Sequence, residues 1–187
     1  MATHFHGLTF LTDPGRVFVP RATTEALVDA ALERLGDSPA RVADVGTGSG
    51  VVAITLALRA PAVEVWASDS CAKALVLASL NAERLGARVH VVQGDLLDGL
   101  PRDLDLIVAN LPYLAPGTEG YEAEPATAVF STGDGLDHYR RLLSGAGDHL
   151  TPEGGVVIQF DGNVLEAERS ELPWLRGRLE SLVTAAA

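Results

Sequence analysis

The stretch "RVADVGTGSGVVAITLALRA", residues 41–60, decides the fold. It opens with a short apolar run, turns through glycines at 46, 48 and 50, and continues with the composition of a helix packed on a sheet. Outward from it the pattern repeats. "VEVWASD" and "RVHVVQGD" read as the next two strands, separated by "CAKALVLASLNAERLG", a helix ending at Gly86, a natural left-handed cap. "LDLIVANLP" is a fourth strand, and "DHYRRLLSGAGDHLTPEGG" is a helix and turn feeding a fifth, "GVVIQFD". Parallel neighbours need a crossover between them, so this alternation predicts a Rossmann-like, doubly wound α/β fold with a mainly parallel sheet.

Upstream, "FHGLTFLTDPGRVFVP" alternates with period two around Asp13-Pro14-Gly15, which predicts a β-hairpin. Residues 1–20 are therefore expected to form a hairpin appendage, and residues 21–187 a single domain. The C-terminal "GNVLEAERSELPWLRGRLESLVTAAA" reads as a helix without a strand pair. That would leave the fifth strand as an edge, to be covered by a second copy or a partner chain.

Of the 187 residues, 47% are hydrophobic and 21% charged, and the formal net charge is -11. No apolar run reaches the ~18 residues of a membrane span. The N-terminus has no basic flank and apolar core of the export type, so a cytoplasmic location is expected. The acidic surface disfavours phosphate backbones. The lone Cys71 reads as a structural thiol, and the scattered histidines carry no metal-site spacing, so no metal is expected.

In open α/β sheets ligands bind at the carboxyl ends of the strands. The first such end is Asp44-Val45-Gly46-Thr47-Gly48-Ser49-Gly50, and Val51 stands where a dinucleotide fingerprint would need glycine. An acidic residue before the loop suits a cationic group: Asp44 favours an amino group, while the glycines admit close approach of a ligand. Asp69 ends the second strand and suits two ribose hydroxyls, with Ser70 beside it free to cap the helix. Asp95 ends the third strand and can accept from an adenine amine, while Leu96 covers the ring. S-adenosylmethionine has all three groups and no phosphate. It is the expected cofactor, and the chain here resembles a class I methyltransferase.

Beyond the fourth strand stands Asn110-Leu111-Pro112-Tyr113. A planar nitrogen is a weak nucleophile whose orientation must supply much of the rate. The Asn110 side-chain carbonyl and the Leu111 backbone carbonyl can each accept an N–H, Pro112 holds Leu111 extended, and Tyr113 offers a face for stacking. Glu124 and Pro125, in the long 115–135 loop, are expected to close over the acceptor.

This tetrapeptide resembles that of the HemK-type protein-glutamine methyltransferases, usually "NPPY", and that of ribosomal RNA adenine dimethyltransferases. The flanking "VFVPRATTEALVDAAL" and "EPATAVFSTGDGLDHYRRLL" are similar to the glutamine family. The resemblance implies that Gly46 to Gly50, Asp69, Leu96 and Asn110 contact the cofactor and that Asn110 to Tyr113 clamp the acceptor. It also implies methyl transfer to the glutamine of a release-factor-like protein. Leu111 in place of proline adds a side chain and an N–H. The short segment before "RATTEAL" leaves little room for the helical recruitment domain usual in bacterial members. A small-molecule acceptor, an adenine in RNA or DNA, and a non-catalytic cofactor-binding partner subunit are the alternative readings.

Overall fold

The computed structural model describes residues 1–186. Its elements run β1 (Ala2–Phe5), β2 (Leu8–Leu11), α1 (Thr23–Leu35), β3 (Ala40–Val45), α2 (Val51–Arg59), β4 (Val63–Asp69), α3 (Ala72–Leu85), β5 (His90–Gln93), β6 (Leu104–Ala109), α4 (Ala126–Val129), α5 (Asp137–His149), β7 (Leu150–Phe160), β8 (Asn163–Glu168) and α6 (Leu172–Ala186). Six strands form one sheet in the order β5-β4-β3-β6-β7-β8, parallel except for the β7/β8 pair. Strand order reverses between β3 and β6, which places a crevice at their carboxyl ends.

The central strands are apolar throughout because both faces are covered. Successive side chains divide between two cores. Val42, Leu106, Val108 and Val157 join α1, α2 and the hairpin residues Phe5 and Phe10. Ala43, Ile107, Ala109, Val156 and Ile158 join Tyr139 and Leu142 of α5 and Leu175 and Leu179 of α6. Gly86 ends α3 in the left-handed conformation, as its sequence predicts.

Two expectations are corrected. The N-terminal hairpin is present, but it closes one turn earlier than Asp13-Pro14-Gly15, at His6-Gly7, where both residues have positive φ (49° and 76°). Residues 13–20 instead cross toward the crevice. At the other end, "NVLEAE" is a strand and not a helix. Asp161 and Gly162, at φ 47° and 75°, form a two-residue hairpin turn, and β8 pairs antiparallel with β7 from Gly155 to Phe160. The fifth strand is thus covered within the chain, which removes the reason for a second copy or partner there. The Asp-Gly dipeptide was the available signal, a strong hairpin marker that the helical composition downstream outweighed. No described helix is long and apolar enough to cross a membrane.

Candidate functional site

The ends of β3, β4, β5 and β6 and the N-terminus of α1 converge on one cavity. Every site residue expected from the sequence borders it except Gly50, whose role is steric. A Cβ at Gly50 would sit 2.8 Å from Ile54 Cδ1 and 3.0 Å from Ala78 Cβ. Gly46 is equally confined: its φ is 73°, and a Cβ would meet Leu111 Cδ2 at 2.7 Å. The loop thus turns tightly against both α3 and the Asn110 tetrapeptide.

Asp44 is 2% exposed. Its Oδ2 accepts from Thr47 Oγ1 at 2.6 Å and from the Ala53 N–H at 3.1 Å, so it satisfies an orphan amide in the first turn of α2. Burial pushes its pKa up from 3.8 to about 6, against the lowering effect of those two bonds, and Asp69 adds a smaller upward push. Asp69 lashes the loop to α3. Oδ2 accepts the Gly48 N–H at 2.9 Å and Oδ1 the Cys71 N–H at 2.8 Å. A carboxylate has about four acceptor positions, so capacity for ribose hydroxyls remains. Ser70 makes no capping bond to α3; the Cys71 amide is taken by Asp69 instead. Ser49 Oγ, in the loop wall, is buried without a partner.

At the third strand end Asp95 is half-exposed and pairs with Arg141 at 2.5 Å, so a ligand amine would have to share it. Leu96 adopts a positive φ of 55°, and its carbonyl accepts from Ser68 Oγ at 3.0 Å. His138 borders the same space. Its Nδ1 lies 2.8 Å from the buried Ser131 Oγ, and desolvation lowers its pKa, which keeps the ring neutral.

The tetrapeptide is braced from three sides. Asn110 Nδ2 donates to Thr24 Oγ1 at 3.1 Å, so its amide nitrogen is spent on α1 and its carbonyl oxygen is left for a donor. The Leu111 N–H donates to the buried Tyr139 hydroxyl at 3.1 Å. That hydroxyl has one proton, and the Gln159 backbone carbonyl lies closer to it than the Leu111 carbonyl does. The Leu111 oxygen thus keeps its lone pairs. Tyr113 leans on Phe160 at 5.1 Å between centroids, and burial raises its hydroxyl pKa, so it stays neutral. Gly135 admits no side chain, since a Cβ would fall 2.2 Å from the Tyr113 carbonyl.

The rim joins two segments distant in sequence. Arg21 lies 5.5 Å from the Phe18 ring centre and 5.0 Å from that of Tyr121, and Glu124 accepts the Val19 N–H at 3.3 Å. Pro125 borders the cavity. Sequence reasoning did not single out Thr24, Asn81, Tyr139 or Gln159. Fully buried Asn81 binds the Leu11 N–H and carbonyl at 2.8 and 3.0 Å and the Ser49 carbonyl at 2.9 Å. The signal for Asn81 and Gln159 was a lone carboxamide inside an apolar helix or strand.

Residues 8–164 match the methyltransferase small domain family. A release factor glutamine methyltransferase of Bordetella pertussis is 41% identical over 164 residues, covering 83% of this chain and 61% of its own. One of Xylella fastidiosa is 45% identical over 150 residues, with 75% and 54% covered. The chain therefore spans somewhat over half the length of these curated relatives. Among solved structures, the ribosomal protein L11 methylase of Lactobacillus delbrueckii subsp. bulgaricus matches at TM-score 0.60 and 26% identity, over 90% of this chain and 72% of its own. The T. thermophilus 16S rRNA N2 G1207 methyltransferase, in complex with AdoMet and guanosine, shares the fold at TM-score 0.64 and 19% identity, over 84% and 40%. Sheet order, glycine loop and family match agree: this chain belongs to the methyltransferase small domain family.

Proposed function

We propose that this chain is an S-adenosylmethionine-dependent methyltransferase acting on the side-chain amide of a protein glutamine, with a translation release factor as substrate, in the cytoplasm. The observation that carries the reading is the Asn110–Thr24 hydrogen bond. It turns the amide nitrogen of Asn110 toward α1 and leaves an acceptor oxygen on a residue that borders the same cavity as Asp44, Asp69 and residues 46–49. The names of the curated relatives support the same acceptor.

The donor set fits the cofactor. Asp44 would face its amino group, Asp69 its ribose hydroxyls, Asp95 and Leu96 its adenine, and Ser49 Oγ supplies an unpaired polar contact. When bound, S-adenosylmethionine supplies an activated methyl group on a positively charged sulfur. The chain's own residues then hold the acceptor. Asn110 Oδ1 and the Leu111 carbonyl each accept an N–H, which fixes the nitrogen lone pair in direction, and the neutral Tyr113 ring offers a stacking face for the amide plane.

The test is calorimetric titration of S-adenosylmethionine into the wild type and Asp69→Ala, followed by methyl transfer to a full-length release factor. Binding in the micromolar range that weakens by roughly 1 to 3 kcal/mol in the variant supports the pocket. A wild type that binds the cofactor but never methylates the factor's glutamine would overturn the acceptor assignment.

A further inference from the structure

Gln159 is a polar residue in the middle of an apolar core. It is 3% exposed, between Ile158 and Phe160, and its side-chain Oε1 is buried without a hydrogen-bond partner. Its Nε2 likewise has no partner among the described residues. The residue borders the same cavity as Asn110. Unpaired buried carboxamides are rare because each unmade bond forfeits the desolvation of its atom, so a native one calls for a reason.

The sheet register supplies the reason. Val108 pairs with Val157 and Ala109 with Ile158 on the parallel strands β6 and β7, so Asn110 and Gln159 stand side by side one step further on. Side chains alternate along a strand, and Val108 and Val157 both face the core that holds Leu27 and Val28 of α1. Asn110 and Gln159 therefore face α1 too, about one strand spacing of 4.8 Å apart. Thr24 of α1 already holds the Asn110 nitrogen. Neither end of the carboxamide is held by a hydrogen bond, so Gln159 can turn Nε2 toward a carbonyl in the cavity it borders.

We infer that Gln159 is a specificity-determining residue that reads the carbonyl oxygen of a carboxamide acceptor, while Asn110 reads its N–H. This rests on the methyltransferase function proposed above and deepens it. A primary carboxamide offers a donor and an acceptor in one plane, and adjacent Asn and Gln side chains present the complementary acceptor and donor. An amine, protonated or not, has no carbonyl to satisfy Nε2. Donation to the carbonyl oxygen does not make the nitrogen more nucleophilic, since it draws the lone pair further into the amide. Its effect therefore lies in holding the acceptor, in ground state and transition state alike, and not in the rate at saturation.

The experiment compares wild type with Gln159→Met, which keeps length and volume but cannot hydrogen-bond, and with Gln159→Leu as a second variant. Initial rates are taken with S-adenosylmethionine against increasing full-length release factor, alongside calorimetric cofactor affinity and thermal melting. The expected result is a KM for the release factor raised about tenfold or more, with kcat within about threefold. Cofactor affinity should be unchanged, and the melting temperature should be equal to or above wild type, because an unpaired buried polar group has been removed. An unchanged KM, or a lower melting temperature together with weaker cofactor binding, would show a structural residue and overturn the inference. A wild type that binds the cofactor and methylates an amine but not the glutamine overturns the carboxamide pairing while the methyltransferase reading stands. Failure to bind the cofactor at all overturns both.

Discussion

The Leu111 backbone N–H donates to the Tyr139 hydroxyl across 3.1 Å, and the same hydroxyl donates to the backbone carbonyl of Gln159. One side chain from α5 thereby ties the end of β6 to the end of β7. A proline at position 111 would have no N–H to give. The phenol is thus matched to the leucine that stands in this tetrapeptide.

Tyr139→Phe leaves a buried N–H and a buried carbonyl unpaired, a loss of about 2 to 5 kcal/mol in urea unfolding. In a Leu111→Pro background the N–H is already gone, so the same change should cost about 1 kcal/mol less. Equal costs in the two backgrounds would show that the Leu111 bond adds nothing.

Gly46→Ala places a methyl at a position of φ 73° and 2.7 Å from Leu111 Cδ2. We expect a loss of about 1 to 3 kcal/mol in stability and a still larger proportional loss of cofactor affinity, because the loop must move. Adding Leu111→Ala removes the clash but not the backbone strain. The double variant should recover only part of the melting temperature.

Thr24→Val keeps the shape of the buried side chain but deletes the partner of Asn110 Nδ2. The carboxamide is then free to rotate. With the release factor as substrate, kcat/KM should fall about 10- to 100-fold while calorimetry finds cofactor binding intact. A fall in cofactor affinity of the same size would place Thr24 in the wrong half of the cavity.

Asp44 titrates near pH 6 in the folded protein against an ordinary 3.8, mainly because it is buried. The folded state therefore holds this proton more tightly than the unfolded chain. Its contribution to stability is fully present below the ordinary value and is lost as pH rises through about 6, a change of roughly 3 kcal/mol. Asp44→Asn can still accept from Thr47 and Ala53, so it should flatten this part of the melting temperature profile between pH 4 and 7. A profile unchanged by the substitution would assign the dependence to another group.

The order of strands and helices was legible because each buried strand is short and apolar and each crossover helix is longer. The carboxylates of Asp44, Asp69 and Asp95 could be placed in advance because strand ends in such sheets meet at one crevice. Their existing engagements could not. Asp44 and Asp69 serve the backbone of the glycine loop and α3, and Asp95 is drawn to Arg141, through contacts set by tertiary approach. Thr24 and Asn110 are 86 residues apart and meet only once α1 lies over β6. β8 was hidden for a different reason: "NVLEAE" has helical composition, and its pairing with β7 overrides that local preference.

Asn81 holds Leu11 at the end of the hairpin and Ser49 in the glycine loop with the three hydrogen bonds of a single side chain. The two segments cannot loosen independently without breaking the same carboxamide's bonds, so they fluctuate as one cooperative unit. Ligand seated against residues 46–49 should therefore slow hydrogen exchange at the Leu11 amide, outside the cavity lining and 70 residues along the chain from its partner.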